Sequence, residues 1–218
     1  PIEAIGLHRK YKPVVVAQQL TLLHSNSLLQ VKPFELLRKV SSSSSPDDYP
    51  NLMKMISQNT SLSHWVSREI LQEDDVKERS KTIRYFIDVA SVCKELLNYN
   101  AVMAITGALG SSPISRLHNT WEEVGKGHSK KLTQLSTMMI SHNGREYRQA
   151  LATASPPCVP FPGTWITDLV KIHESSSWTH EIESPDTASG AKSVKVALVN
   201  LTKVKQATDT LRQLQRFQ

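Results

Sequence analysis

Apolar residues recur three and four apart along most of the chain, the spacing that gathers them on one face of a helix. Residues 14–29 carry Val16, Leu20, Leu23 and, after a polar break, Leu28, and a short helix is expected over 34–40. Two helices are expected at 51–57 and 63–71, joined by the polar turn Gln58-Asn59-Thr60-Ser61, with Trp65, Ile70 and Leu71 as core candidates. Asp75 followed by Glu78 has the spacing of a capping box. The helix behind it is the most regular in the chain, with Val76, Ile83, Phe86, Ile87, Ala90, Cys93 and Leu97 on one stripe. Asn98-Tyr99-Asn100 closes it, and Asn100 is placed to cap a helix over 101–109.

Ser111-Ser112-Pro113 then makes a junction, with Pro113 at the start of a helix marked by Ile114, Leu117, Trp121 and Val124 and ended by Gly125. Leu132, Leu135, Met138 and Met139 mark another, stopped near Asn143-Gly144, and residues 146–152 a shorter one. Prolines 156, 157, 160 and 162 break the chain. The helix after them divides into two faces. At about 100° per residue Trp165, Leu169 and Ile172 share an apolar arc, while Thr167, Val170 and Glu174 lie nearly opposite with Lys171 beside them. Taken alone, that outer face is an ordinary solvated one. Beyond a polar loop at 179–190, Leu198, Leu201, Val204, Ala207, Leu211 and Leu214 outline a last amphipathic helix, which would pair with the preceding one as a helical hairpin. Alternating strand-like runs with hairpin turns are lacking, so the expected fold is all-α.

Composition narrows the function classes more than the fold. A chain of 218 residues with 39% hydrophobic content can bury a sizeable core and reads as one domain. No apolar run reaches bilayer length and the first dozen residues lack the apolar centre of a signal peptide, so a cytoplasmic protein is expected. Two cysteines, Cys93 and Cys158, suggest neither a disulfide framework nor a thiolate metal site. The net charge of +6 is spread without interleaved aromatics, which argues against nucleic acid; an anionic membrane surface or an acidic partner would fit it equally well, and ordinary solubility accounts for it best. The serine run 41–45, followed by Pro46-Asp47-Asp48, is a low-complexity surface loop at 41–48.

Motifs for covalent chemistry fail on inspection. Gly125 to Lys130 lacks phosphate-loop spacing and no strand precedes it; Ser91-Val92-Cys93-Lys94 matches a serine–lysine acylase pattern only in the middle of a helix. The histidines form no zinc-binding set, and neither cofactor nor metal is expected. Asn200-Leu201-Thr202 and Asn59-Thr60-Ser61 fit a glycosylation pattern that carries no meaning in a cytosolic protein.

The segments in order do resemble one family. Gln19-Leu20-Thr21-Leu22, Asn59 to Val66, Leu97 to Ile105, Ser112 to Leu117, Thr120-Trp121-Glu122, Pro156 to Phe161, Thr167-Asp168-Leu169 and Val199 to Lys203 resemble the catalytic domain of Ras-family guanine-nucleotide exchange factors, across nearly the whole chain. The resemblance implies a single bowl-like all-α domain over 1–218 whose helical hairpin, about 161–217, opens the nucleotide site of a small GTPase. It implies an apolar residue, Val170, set near the GTPase's Mg²⁺ and a carboxylate, Glu174, directed at its phosphate-binding loop, with Thr167 on the same edge. Arg116, Leu109, Tyr147, Lys171 and Phe161 are the implied GTPase-binding residues, Arg116 being open as well to an ordinary surface ion pair and Leu109 to a core role.

The implied partner is a Ras or Rap GTPase, with Ral also open, which would bring the domain close to a membrane. The other reading is an exchange-factor-like adaptor that binds a partner without exchange. Ser175-Ser176-Ser177 stands where the family usually has Gly-Asn-Pro.

Overall fold

The computed structural model describes residues 10–175, 177–184 and 194–218. The reading of the first nine residues, Ser176 in the serine triplet and the 185–190 part of the polar loop lie outside them. The elements in chain order are α1 (Pro13–Leu28), α2 (Pro33–Val40), a 3-10 turn (Pro46–Asp48), α3 (Pro50–Leu71), α4 (Val76–Glu95), α5 (Tyr99–Leu109) and α6 (Ser112–Ser115). They continue with α7 (His118–Ile140), α8 (Arg145–Thr153), α9 (Pro162–Ser175), β1 (Thr179–Ser184), β2 (Val194–Val199) and α10 (Leu201–Arg216). The all-α expectation holds, with one antiparallel ribbon added, β1 on β2 from Thr179 opposite Val199 to Ser184 opposite Val194.

Proline opens α1, α2, α3 and α9, where its missing N–H is one the helix would leave unpaired anyway. The capping residue Asp75 accepts from the Glu78 N–H, as its spacing implies. Three expectations need correction. Helix α3 runs without a break through Gln58 to Ser61, because these polar side chains bond across and along the helix rather than to a turn: Asn59 Nδ2 donates to the carbonyl and side-chain oxygens of Asn100, and Thr60 Oγ1 to the Ile56 carbonyl. Leu71, at the end of that helix, is exposed. Asn98, and not Asn100, caps α5, its Oδ1 accepting from the Ala101 N–H. Gly125 does interrupt α7, with φ of 82°, a value a side chain would resist.

Residues 10–31, Pro50–Phe161 and Phe217–Gln218 pack as one unit. Its core is built where α4 lies against α1, α5 and α7, and α3 against α5, with Val66, Ile70, Ile83, Phe86, Ile87, Val102 and Ile105 all buried. The Trp65 ring meets Phe86 edge-on at 5.2 Å. A polar chain crosses this core. Asn98 Oδ1, already accepting from Ala101, faces His24 Nδ1 at 3.3 Å, while Asn98 Nδ2 donates to Thr21 Oγ1, which donates on to the Ala17 carbonyl. An acceptor at Asn98 fixes the histidine proton on Nδ1. Burial pushes the His24 pKa down, the Asn98 bond only partly opposing it.

The second unit comprises Lys32–Tyr49 and the described residues of Pro162–Arg216. Helix α9 packs on α2 and on α10, with Leu36, Trp165, Leu169, Ala207 and Leu214 buried. The helical hairpin is therefore present, with the ribbon at its turn. The buried stripe of α10 differs from the expected one: it runs Lys203, Ala207, Thr210, Leu214, while Leu198 belongs to β2, and Leu201 and Val204 are exposed. The loop at 41–48 is irregular apart from its 3-10 turn, where the Ser45 N–H donates to Asp48 Oδ2.

Two outcomes follow from this packing. A histidine held neutral by burial contributes stability that is fully present above its ordinary pKa of 6.5 and is lost progressively as the pH falls from there toward its lower folded-state value. Denaturant titrations at about pH 7.5 and about pH 5.5 should show the loss, and His24→Gln should shrink it; an unchanged difference would remove His24 as its source. In the second unit, Trp165→Ala should lower stability by about 3–5 kcal/mol, as truncation of buried aromatics does. The same titrations measure it.

Candidate functional site

The prolines at the start of α9 fix where it begins, and its sequence fixes which way it faces. Pro162 stands at the first helical position, and the three- and four-residue steps from it bring Trp165 and Leu169 to the packed side. Trp165 is 1% exposed, and its indole N–H donates to Gln213 Oε1 of α10 at 3.3 Å, so burying the ring leaves its polar atom bonded. Ile172, at the far end of the arc, is only half-buried. On the other side Thr167, Lys171 and Glu174 are exposed and Val170 is half-buried. Thr167 Oγ1 donates back to the Gly163 carbonyl at 2.8 Å, which ties down its hydroxyl. The edge thus carries a threonine, a branched apolar side chain, an ammonium and a carboxylate along about two turns.

The end of α9 is held without a glycine. Ser175 Oγ donates to the Ile172 carbonyl and Lys203 Nζ to the His173 carbonyl, at 3.0 and 2.7 Å, so side chains satisfy two carbonyls of the last turn. Asn200, which fits a glycosylation pattern in the sequence, is the cap of α10: its Oδ1 accepts from the Lys203 N–H. Its Nδ2 donates to the Ser177 carbonyl and its N–H to that of Trp178. Sequence reasoning missed Lys203, Trp178 and Gln213. A lysine four before Ala207 and eleven before Leu214, on the buried stripe, is the signal that could have found the first.

The remaining candidates belong to the first unit. Arg116 is exposed just after α6. Leu109 and Tyr147 are each 1% exposed. The tyrosine stacks edge-on with Tyr99 at 5.1 Å, and its hydroxyl accepts from the Phe161 N–H at 2.9 Å. Phe161 itself is half-buried. The segment before it is docked on the α4–α5 turn: the Val159 N–H donates to the Leu97 carbonyl, the Asn100 N–H to the Val159 carbonyl, and the Cys158 thiol to the Leu97 carbonyl. The first unit therefore brings Tyr147 and Phe161 together, with Leu109 in its core and Arg116 at its surface. The second brings together Thr167, Val170, Lys171 and Glu174.

Burial raises the Cys93 thiol to about 12, leaving it unreactive. Among the described residues no group of three or more His, Cys, Asp or Glu could hold a metal ion, and no helix is long and apolar enough to cross a membrane.

Comparison with known proteins gives the same direction. The RasGEF domain model matches residues 15–205. Ras guanine nucleotide exchange factor Y of Dictyostelium discoideum is 32% identical over 96% of the chain, and cell division control protein 25 of Saccharomyces cerevisiae 38% identical over 72% of it. Protein son of sevenless of Drosophila melanogaster is 27% identical over 94%. The chain spans only 13%, 10% and 12% of those three relatives respectively. A family model that covers residues 15–205, together with relatives at these identities, makes this chain a member of the RasGEF domain family.

Proposed function

We propose that this domain is a guanine-nucleotide exchange factor for a Ras-family small GTPase, of the Ras or Rap subfamily, working in the cytoplasm at the membrane where such a GTPase sits. One observation carries the reading: the edge Thr167, Val170, Lys171 and Glu174 is turned outward on a helix anchored by buried Trp165 and Leu169, in a chain several of whose relatives are named Ras guanine nucleotide exchange factors. Small GTPases hold nucleotide through a lysine and backbone N–H groups on the phosphates and through Mg²⁺. A wedge that competes for those contacts needs no covalent step.

Val170 offers no ligand to a metal ion, so its entry beside the Mg²⁺ site makes that space unfavourable for a hydrated cation. Glu174 presents a carboxylate that can take the phosphate-loop donors in place of the nucleotide, and it repels the phosphate charge it displaces. Lys171 and Thr167 add contacts along the same edge. Arg116 and Phe161 serve the GTPase from the first unit, with Leu109 and Tyr147 acting from beneath as the packing that shapes its surface. Because the exchanger prefers the nucleotide-free GTPase, it must weaken nucleotide by the factor by which nucleotide weakens the exchanger. The more abundant nucleotide then rebinds and displaces it, and the domain sets the rate without setting the direction.

The measurement is release of a fluorescent GDP analogue from a panel of Ras, Rap and Ral GTPases. The wild-type domain should accelerate release from at least one of them, and Glu174→Ala should slow that release about tenfold or more, the loss of a single charge-assisted contact made at the point of displacement. Its melting should match the wild type, since the side chain is exposed. A wild-type domain that accelerates none of the panel would overturn the reading, and unimpaired Glu174→Ala would remove the residue from it.

A further inference from the structure

The C-terminal turn of α9 carries Glu174, and a helix end is the part of a helix most prone to fray, since its last carbonyls have no partner within the helix. Here the end is gripped from α10. Lys203 is 2% exposed, its Nζ donates to the His173 carbonyl at 2.7 Å, and it lies over the Trp178 ring, 4.6 Å from the centroid. Trp178 in turn donates its indole N–H to His173 Nδ1 at 3.3 Å. Its backbone is held by Asn200, whose N–H donates to the Trp178 carbonyl at 2.9 Å, and Asn200 Oδ1 accepts from the Lys203 N–H at 3.1 Å. The circuit closes: helix end to Trp178, Trp178 to Asn200, Asn200 to Lys203, Lys203 back to the helix end.

The carbonyl that Lys203 grips belongs to the peptide unit whose nitrogen is that of Glu174. Fixing that peptide plane fixes the direction in which the Glu174 side chain leaves the helix. The cation also sits where the helix macrodipole is negative, which favours it there. A buried ammonium is nonetheless an expensive way to fill space, and an apolar side chain of similar length would pack at lower desolvation cost. What methionine or leucine could not do is hold a chosen carbonyl.

On these grounds we infer that Lys203 is a positioning residue for nucleotide exchange, clamped by Trp178, which sets the last turn of α9 and through it Glu174. The use made of the clamp rests on the exchange reading; its existence does not.

The test uses the whole chain with Lys203→Met, which keeps the length and apolar stem and removes the donor and charge, and with Lys203→Arg, which restores both. Two readouts are needed. Hydrogen exchange of the free domain should show faster exchange at residues 172–178 in Lys203→Met, with the first unit unchanged, which also reports that the variant has folded. Nucleotide release at varied domain concentration should show kcat lowered about tenfold, the scale of one charged hydrogen bond to a carbonyl, with KM within about twofold of wild type. Lys203→Arg should recover most of the loss. Unchanged protection at 172–178 would overturn the clamp; changed protection with unchanged kcat would overturn its role in exchange. If the wild type accelerated no GTPase while the protection changed as expected, the exchange reading would fall and the positioning role with it, the clamp itself standing.

Discussion

Everything at the candidate site depends on α9 being buried along one side only. A helix that packed Trp165 and Leu169 and also covered Thr167 to Glu174 would be a core helix with nothing to offer a partner; one that packed neither would not persist, since short helices draw most of their stability from tertiary contact. Trp165 resolves the conflict because it supplies much of the anchoring from a single position. Its ring takes the largest apolar area a side chain can give, and Gln213 accepts its one N–H, so burial leaves no orphaned donor. The more anchoring is concentrated in Trp165 and Leu169, the more of the helix surface is left for binding.

In the first unit the corresponding constraint is polar. Asn98 sits at zero exposure between α4 and α5, and it serves three neighbours at once: it caps α5 through Ala101, fixes the proton on His24 and holds Thr21. An apolar residue there could pack, but it would leave a helix end and a ring nitrogen without these partners in a low-dielectric interior. The turn that Asn98 organises is also the one on which Cys158 and Val159 dock, and that docking fixes the approach of the chain to Phe161 and its bond to Tyr147. Core polarity and the position of a candidate contact residue are thus one structure.

How far the sequence made this legible depended on whether a residue's role was carried by spacing or by a distant partner. The two faces of α9 were readable because they are a matter of period: Trp165 and Leu169 are buried, Thr167, Lys171 and Glu174 exposed, as the three- and four-residue steps require. Asp75 and Gly125 were readable for a similar reason, since a cap and a positive φ act locally. Gln58 to Ser61 misled because a polar quartet resembles a turn unless one knows that Asn59 has a partner in Asn100, far along the chain. The ribbon was illegible because a two-stranded pair beyond a helical hairpin need not bury a face, so it lacks a marked alternation. In α10 the apolar letters were the wrong guide: Leu201 is 75% exposed while Lys203 is buried, because the lysine's partner is a carbonyl of another helix, and its spacing from Ala207 and Leu214 marks the buried position without naming that partner.

The same distinction bears on how the domain would act in the proposed exchange role. In that role, whatever free energy the inserted edge contributed would have to be larger with the nucleotide-free GTPase than with the loaded one, and a side chain that must first be ordered on binding would spend part of that difference on its own conformational entropy. Glu174 is placed at a helix terminus, where that loss would be greatest. A buried lysine that fills a helix-end carbonyl, a tryptophan across its face and an asparagine that ties the two together remove the disorder beforehand, within the fold. The desolvation borne by one ammonium in the interior is then the counterpart of rigidity at one carboxylate on the surface. Polar residues hidden in the hairpin and polar residues shown on its edge are consequently two halves of one device, and only the second half can be found by looking at the surface.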